Sequence, residues 1–167
     1  MGFKTRCLII LAVMGICLLI DQGTKQVALS FLTDSRSYLG GSFRLGLAYN
    51  EGAFLSLGAS LSEEVRWALF LVGNSLVLLL VLIYAFLGRP SLPLLLGAAL
   101  LSAGGLGNLL DRALHQGRVV DFINLGIGPV RTGVFNVADM AIMAGVFLLL
   151  WESIVTPAPE PRKGRRP

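Results

Sequence analysis

Two aspartates in the second half of the chain are the residues whose setting is hardest to explain as surface decoration. Asp121 lies inside an apolar, β-like run, with Val119 and Val120 before it and Phe122 and Ile123 after it. Asp139 stands at the entrance of the last long hydrophobic segment, three residues after Asn136, a spacing that puts both on one helical face. An ionisable residue at membrane depth is costly enough to mark a functional site by default. Two carboxyls brought together cannot both ionise cheaply, so they share a proton, the arrangement that serves hydrolysis by paired aspartates. The competing explanation is structural: one buried, salt-bridged aspartate and one aspartate in an interfacial loop.

Further polar residues recur at the ends of apolar runs. Asp21 and Lys25 are spaced i, i+4 at the end of the first run and can partly neutralise each other, which is also their structural explanation. Asn108, Asp111 and Arg112 share a face at the end of the third. His115 stands alone, and Cys7 and Cys17 sit together in an apolar run without a ligand partner at suitable spacing, so no metal or organic cofactor is implied.

The elements that must position these residues are membrane spans. Of 167 residues, 54% are hydrophobic and only 14% charged, well below the roughly 25% charged of soluble domains. The net charge of +4 comes from basic residues near segment ends and in the tail, which is a pattern of membrane topology and not of a nucleic-acid face. The start resembles a secretory signal peptide, but no small-residue cleavage site follows. Residues 7–20 cover only about 21 Å as helix against a hydrocarbon core of about 30 Å, so the helix must continue through Asp21 and Lys25. Spans are expected over about 7–32, 67–87, 92–110 and 134–155. The third is rich in small residues, Gly97, Ala98, Ser102, Ala103, Gly104, Gly105 and Gly107, which let another helix approach closely. Residues 34–64 form a loop in which Ser42–Tyr49 alternates as a half-buried strand, followed by a turn from Asn50 through Gly52 to Phe54 and a short interfacial segment. Ser60 and Glu63 fit a capping box ahead of the second span. Residues 1–156 form one domain, and 157–167, Pro-rich and basic, read as a disordered tail.

Lys4, Arg6, Arg89 and the basic tail fall on one side of four alternating spans, which becomes the cytoplasm. Asp21, Asn108, Asp111, Asn136 and Asp139 then gather at one depth below the outer interface. A transporter or channel subunit would spread its relay along the helices, and a purely structural subunit would not need the cluster.

The same residues carry a family resemblance. Asp21-x-x-Thr24-Lys25, Asn50-x-Gly52-Ala53-Phe54, Gly107-Asn108-Leu109-Leu110-Asp111-Arg112, Val120-Asp121-Phe122 and Phe135-Asn136-Val137-Ala138-Asp139 occur in order along nearly the whole chain. In this the chain resembles the lipoprotein signal peptidases (type II signal peptidases), bacterial inner-membrane aspartyl proteases. The resemblance implies an all-α membrane fold of four transmembrane helices with a small periplasmic β-cradle and a short interfacial helix. It implies a catalytic pair, Asp121 and Asp139, with Asp21, Asn50, Asn108, Asp111, Arg112 and Asn136 supporting the site or contacting substrate; Lys25 and Gly52 lie in the matching motifs. The implied substrate is a diacylglyceryl-modified prolipoprotein, cut just before the lipidated cysteine, with membrane lipid as surroundings and no nucleic acid. Two segments depart from the family pattern: Gly52-Ala53-Phe54 is one residue short, and Arg131-Thr132-Gly133-Val134 replaces an aromatic-Pro lead into Phe135.

Overall fold

The computed structural model describes residues 1–51, 62, 64–65, 68–88 and 90–155. The turn residues Gly52–Phe54, the Ser60/Glu63 capping box, the interfacial segment and the tail lie outside the described residues. Helix α1 (Phe3–Phe31) is followed by strands β1 (Arg36–Tyr38) and β2 (Phe43–Asn50). A π-helical turn over Ala68–Gly73 leads into α2 (Asn74–Leu87), then α3 (Leu92–Leu114), β3 (Val119–Ile127), β4 (Val130–Arg131) and α4 (Val137–Val155). Among the described residues three helices, α1, α3 and α4, are long and apolar enough to cross a membrane, and Leu71–Leu87 forms a shorter apolar helix.

Helix α3 is the centre of the bundle because one stripe of small residues removes the side chains that would hold its neighbours off. A Cβ on Gly104 would collide with the carbonyl of Ala138 on α4, and one on Gly107 would lie 2.7 Å from Oδ2 of Asp21 on α1. Glycine is required at both by close approach. Ser91 caps the start of α3, its Oγ accepting from the Leu94 N–H at 3.4 Å. Away from the sheet, Ile10, Ala85, Leu95, Ala98 and Ala99 form a dry cluster between α1, α2 and α3.

The four strands form one antiparallel sheet in the order β1-β2-β3-β4. Strict alternation over Ser42–Tyr49 does not survive in β2. The register with β3 shifts between Leu45 and Ala48, and Leu47 and Tyr49 are exposed while Ala48 and Asn50 turn inward. A bulge of one residue exchanges the two faces of a strand. Here that exchange points Asn50 at Asp121, so Asn50 closes a strand instead of opening a turn. Two helix boundaries also differ from the sequence expectation. The third span extends to Leu114, so Asp111 and Arg112 lie within the helix and are buried. The fourth begins at Val137, after Phe135 has bridged to Ile123 of β3.

Candidate active site

Asn136 sits one residue ahead of α4 and forms a reciprocal cap with Asp139. The Asp139 N–H donates to Oδ1 of Asn136 at 2.8 Å, and the Asn136 N–H donates to Oδ2 of Asp139 at 3.2 Å. The spacing that suggested a shared helical face is therefore a capping box. This leaves the side-chain amide of Asn136 pointing away from the helix, where Nδ2 donates to Oδ1 of Asp121 at 2.7 Å. One residue thus touches both carboxylates. Its position is fixed by the Phe135–Ile123 bridge, in which each residue's N–H donates to the other's carbonyl at 2.8 Å.

The remaining partners come from three other elements. Asn50 of β2 donates to Oδ2 of Asp121 at 3.0 Å. Asn108 of α3 donates to Oδ1 of Asp139 at 2.8 Å, while its own Oδ1 accepts from Lys25 Nζ and from Asn136 Nδ2, both at 3.2 Å. The Lys25 ammonium fixes which end of that amide is oxygen, and hence that the NH2 end faces Asp139. Burial, reinforced by the neighbouring Asp139 carboxylate, pushes the Asp121 carboxyl up to about 7. Hydrogen bonds from Asn50 and Asn136 and the charge of Lys25 pull the other way.

A second layer lies behind these groups. Lys25 donates to Oδ2 of Asp21 at 2.8 Å and lies 2.9 Å from Oδ2 of Asp111. Asp21 also accepts from the Ala138 N–H at 2.8 Å, and Asp111 from the Val120 N–H at 3.0 Å. Asp111 therefore anchors the strand that carries Asp121, and Asp21 anchors the helix that carries Asp139. Arg112 donates through Nη1 to the Asn108 carbonyl at 3.3 Å. Gln22, which the sequence reading passed over, donates to Asp111 at 3.0 Å and to Asp21 at 3.1 Å. Its position beside Asp21 was the only signal available.

Two cavities meet at Asp139. One of about 410 Å³ is bounded by Asn50, Thr132, Phe135, Asp139, Met140 and Met143. The segment that departs from the family pattern supplies part of its wall, and Arg131 pins that segment by donating to the Gly41 carbonyl at 2.8 Å. The other, about 360 Å³, lies between α2, α3 and α4. Every site residue named from the sequence, apart from Gly52, is described; all of them converge on this one end of the bundle. Among the described residues no group of His, Cys, Asp or Glu has the arrangement of a metal site.

A profile of the signal peptidase (SPase) II family matches residues 13–155. The chain belongs to the signal peptidase II family. It is 35% identical to a lipoprotein signal peptidase of Desulforapulum autotrophicum over 161 residues, covering 94% of this chain and 99% of that one. It is 38% identical to one of Tropheryma whipplei over 149 residues, 86% of this chain and 92% of the relative. A solved bacterial membrane enzyme, determined by the in meso method at 2.3 Å, is similar with a TM-score of 0.77 at 25% identity, covering 94% of each chain. A second, at 1.9 Å, gives 0.76 at 26% identity over 89% of this chain and 94% of that one. This member of the family is accordingly a multi-pass membrane peptidase, mostly helical with a small antiparallel sheet.

Proposed function

We propose that this protein is an aspartic endopeptidase that removes signal peptides from diacylglyceryl-modified prolipoproteins, with Asp121 and Asp139 as its catalytic pair. The observation that carries the reading is the double grip of Asn136 on both carboxylates, at a point where Asp139 borders two cavities. A carboxyl lifted to about 7 beside a second carboxyl lets the pair hold one proton near neutral pH. The ionised member takes a proton from water as its oxygen attacks the scissile carbonyl, and the protonated member gives its proton to the carbonyl oxygen. Collapse of the resulting diol, with proton transfer to the departing nitrogen, releases the signal peptide from the lipidated cysteine.

Asn108, Asn136 and Asn50 orient the carboxylates, and Asp21, Lys25, Asp111 and Arg112 hold the elements that carry them. Gly52, two residues after Asn50 in the matching motif, belongs to the same proposed supporting set. The proposed topology has four spans over residues 1–156 in the bacterial inner membrane, both termini cytoplasmic and the tail at 157–167 outside the domain. The sheet and the aspartate pair then face the periplasmic side, where acyl chains can stay in the bilayer while the peptide bond reaches the carboxylates.

The deciding experiment is cleavage of a purified diacylglyceryl-modified prolipoprotein by wild type, Asp121→Asn and Asp139→Asn. Cleavage before the lipidated cysteine by wild type alone is expected. Turnover by either variant at the wild-type rate would remove that aspartate from the chemistry.

A further inference from the structure

A peptide bond held in helix is shielded from attack, so the substrate must run extended past Asp139. An extended backbone in apolar surroundings leaves N–H and C=O groups that the protein has to meet. The cavity between α2, α3 and α4 borders Asp139 and has three further polar side chains in its wall: Asn74, Asn108 and Arg112. Asn108 is committed at both ends of its amide, to Lys25 and Asn136 through oxygen and to Asp139 through nitrogen. Arg112 is engaged with the Asn108 carbonyl.

Asn74 is different. Among the described residues its side chain makes no hydrogen bond, although it lies within the apolar stretch Leu71–Leu87. The rest of α2 is apolar apart from Ser75 and Tyr84, which are exposed. The residue comes directly after the π-helical turn Ala68–Gly73, a distortion that recurs where a helix is bent to a task. An amide has an acceptor and two donors, which is the complement of one peptide unit. A leucine would suit an apolar helix far better, so an amide here, bordering the cavity beside Asp139, points to a partner that arrives from outside the chain.

We propose that Asn74 is a substrate-contacting residue that hydrogen-bonds a backbone peptide group of the signal peptide on the α2 side of Asp139. This rests on the peptidase reading above and adds a determinant of which peptides are held for cleavage. The test uses the purified enzyme, Asn74→Leu and Asn74→Gln, with diacylglyceryl-modified substrates that each carry one backbone N-methyl group near the cleaved bond. Asn74→Leu is expected to lower kcat/KM about tenfold (about 1.4 kcal/mol), chiefly through KM, with an unchanged or raised Tm. Asn74→Gln should recover part of the loss. One N-methyl position should be penalised by wild type and not by Asn74→Leu.

Wild-type kcat/KM in Asn74→Leu, or an identical N-methyl profile in both, would overturn the proposal and leave the peptidase reading standing. If folded wild type fails to cleave, that reading falls first. Binding of a fluorescent signal peptide to Asp139→Asn, with and without Asn74→Leu, then decides Asn74 by itself. An affinity loss of about tenfold supports the contact, and no loss rejects it.

Discussion

Four aspartates crowd into one end of this bundle, and they form two pairs built on opposite principles. Asp21 and Asp111 share a single ammonium, Lys25, and each accepts a backbone N–H from the element it anchors. Both are almost completely buried, as is the lysine. Asp121 and Asp139 have no cation within bonding distance among the described residues. Neutral asparagine amides surround them, and Asp139 opens onto two cavities. The buried ion cluster ties α1, α3, β3 and α4 together. Asp121, flanked by amides and pushed up to about 7, can hold a proton near neutral pH. On the proposed mechanism the same residue type serves as a bolt in one pair and as a reagent in the other.

Substitution should separate the pairs. Asp121→Asn and Asp139→Asn are expected to reduce turnover about 10³-fold or more, because acid–base groups of this kind contribute about 10²–10⁴-fold each, while unfolding in detergent stays at or above the wild-type temperature. Lys25→Met should do the reverse. It strands two buried carboxylates and costs roughly 3–5 kcal/mol of stability, with activity falling in step with the folded fraction. Asp111→Asn should likewise lower Tm and turnover together. An inactive Asp111→Asn of undiminished Tm would place that residue among the reagents.

A pH titration sharpens the contrast with a smaller effect. The folded value of Asp121, about 7, lies above that of an ordinary carboxyl, 3.8, so folding holds this proton more tightly than the unfolded chain does. Its contribution to stability is fully present below pH 3.8 and is lost as pH rises through about 7. Asp121→Asn cannot lose it. The Tm of Asp121→Asn relative to wild type should therefore climb between pH 4 and 7 and level off above. Wild-type activity should decline as the pair loses its shared proton near the same upper limit. A flat difference in Tm would mean that Asp121 is not perturbed. The smallest effect is expected from removing Ala158–Pro167, whose Pro-rich basic sequence has no apolar face to pack; activity should stay within a few-fold.

Much of this architecture was legible in the sequence. The polar residues stand out against long apolar runs, and the i, i+4 spacing of Asp21 and Lys25 is enough to foresee their ion pair. The stripe of small residues foretold a close helix contact on α3, because close approach depends on residue size; that α3 sits at the centre was not foretold. The bulge in β2 was not legible. Alternating hydrophobicity describes a regular strand, and nothing between Leu45 and Ala48 announces that the faces will swap. The capping role of Asn136 was hidden for a related reason. An i, i+3 pair lies on one face inside a helix and forms a reciprocal cap at its start, so the two readings differ only by where the helix begins. That boundary is set by the Phe135–Ile123 bridge, a contact between segments that sequence periodicity does not report.

The hydrogen bond from Ala138 N–H to Asp21 joins the first helix to the last, and it has a consequence for the timing of synthesis. A nascent chain that has delivered α1, α3 and β3 already holds Asp21, Lys25, Asp111 and Asp121, so the ion cluster can close early and make its own polar residues tolerable in the bilayer. It still lacks Asn136 and Asp139. On the proposed mechanism, a nascent chain that lacks α4 therefore carries no working pair of carboxylates, and proteolytic competence arrives in one step with that helix. On that mechanism, prolipoprotein signal peptides that pass the half-made enzyme are left uncut.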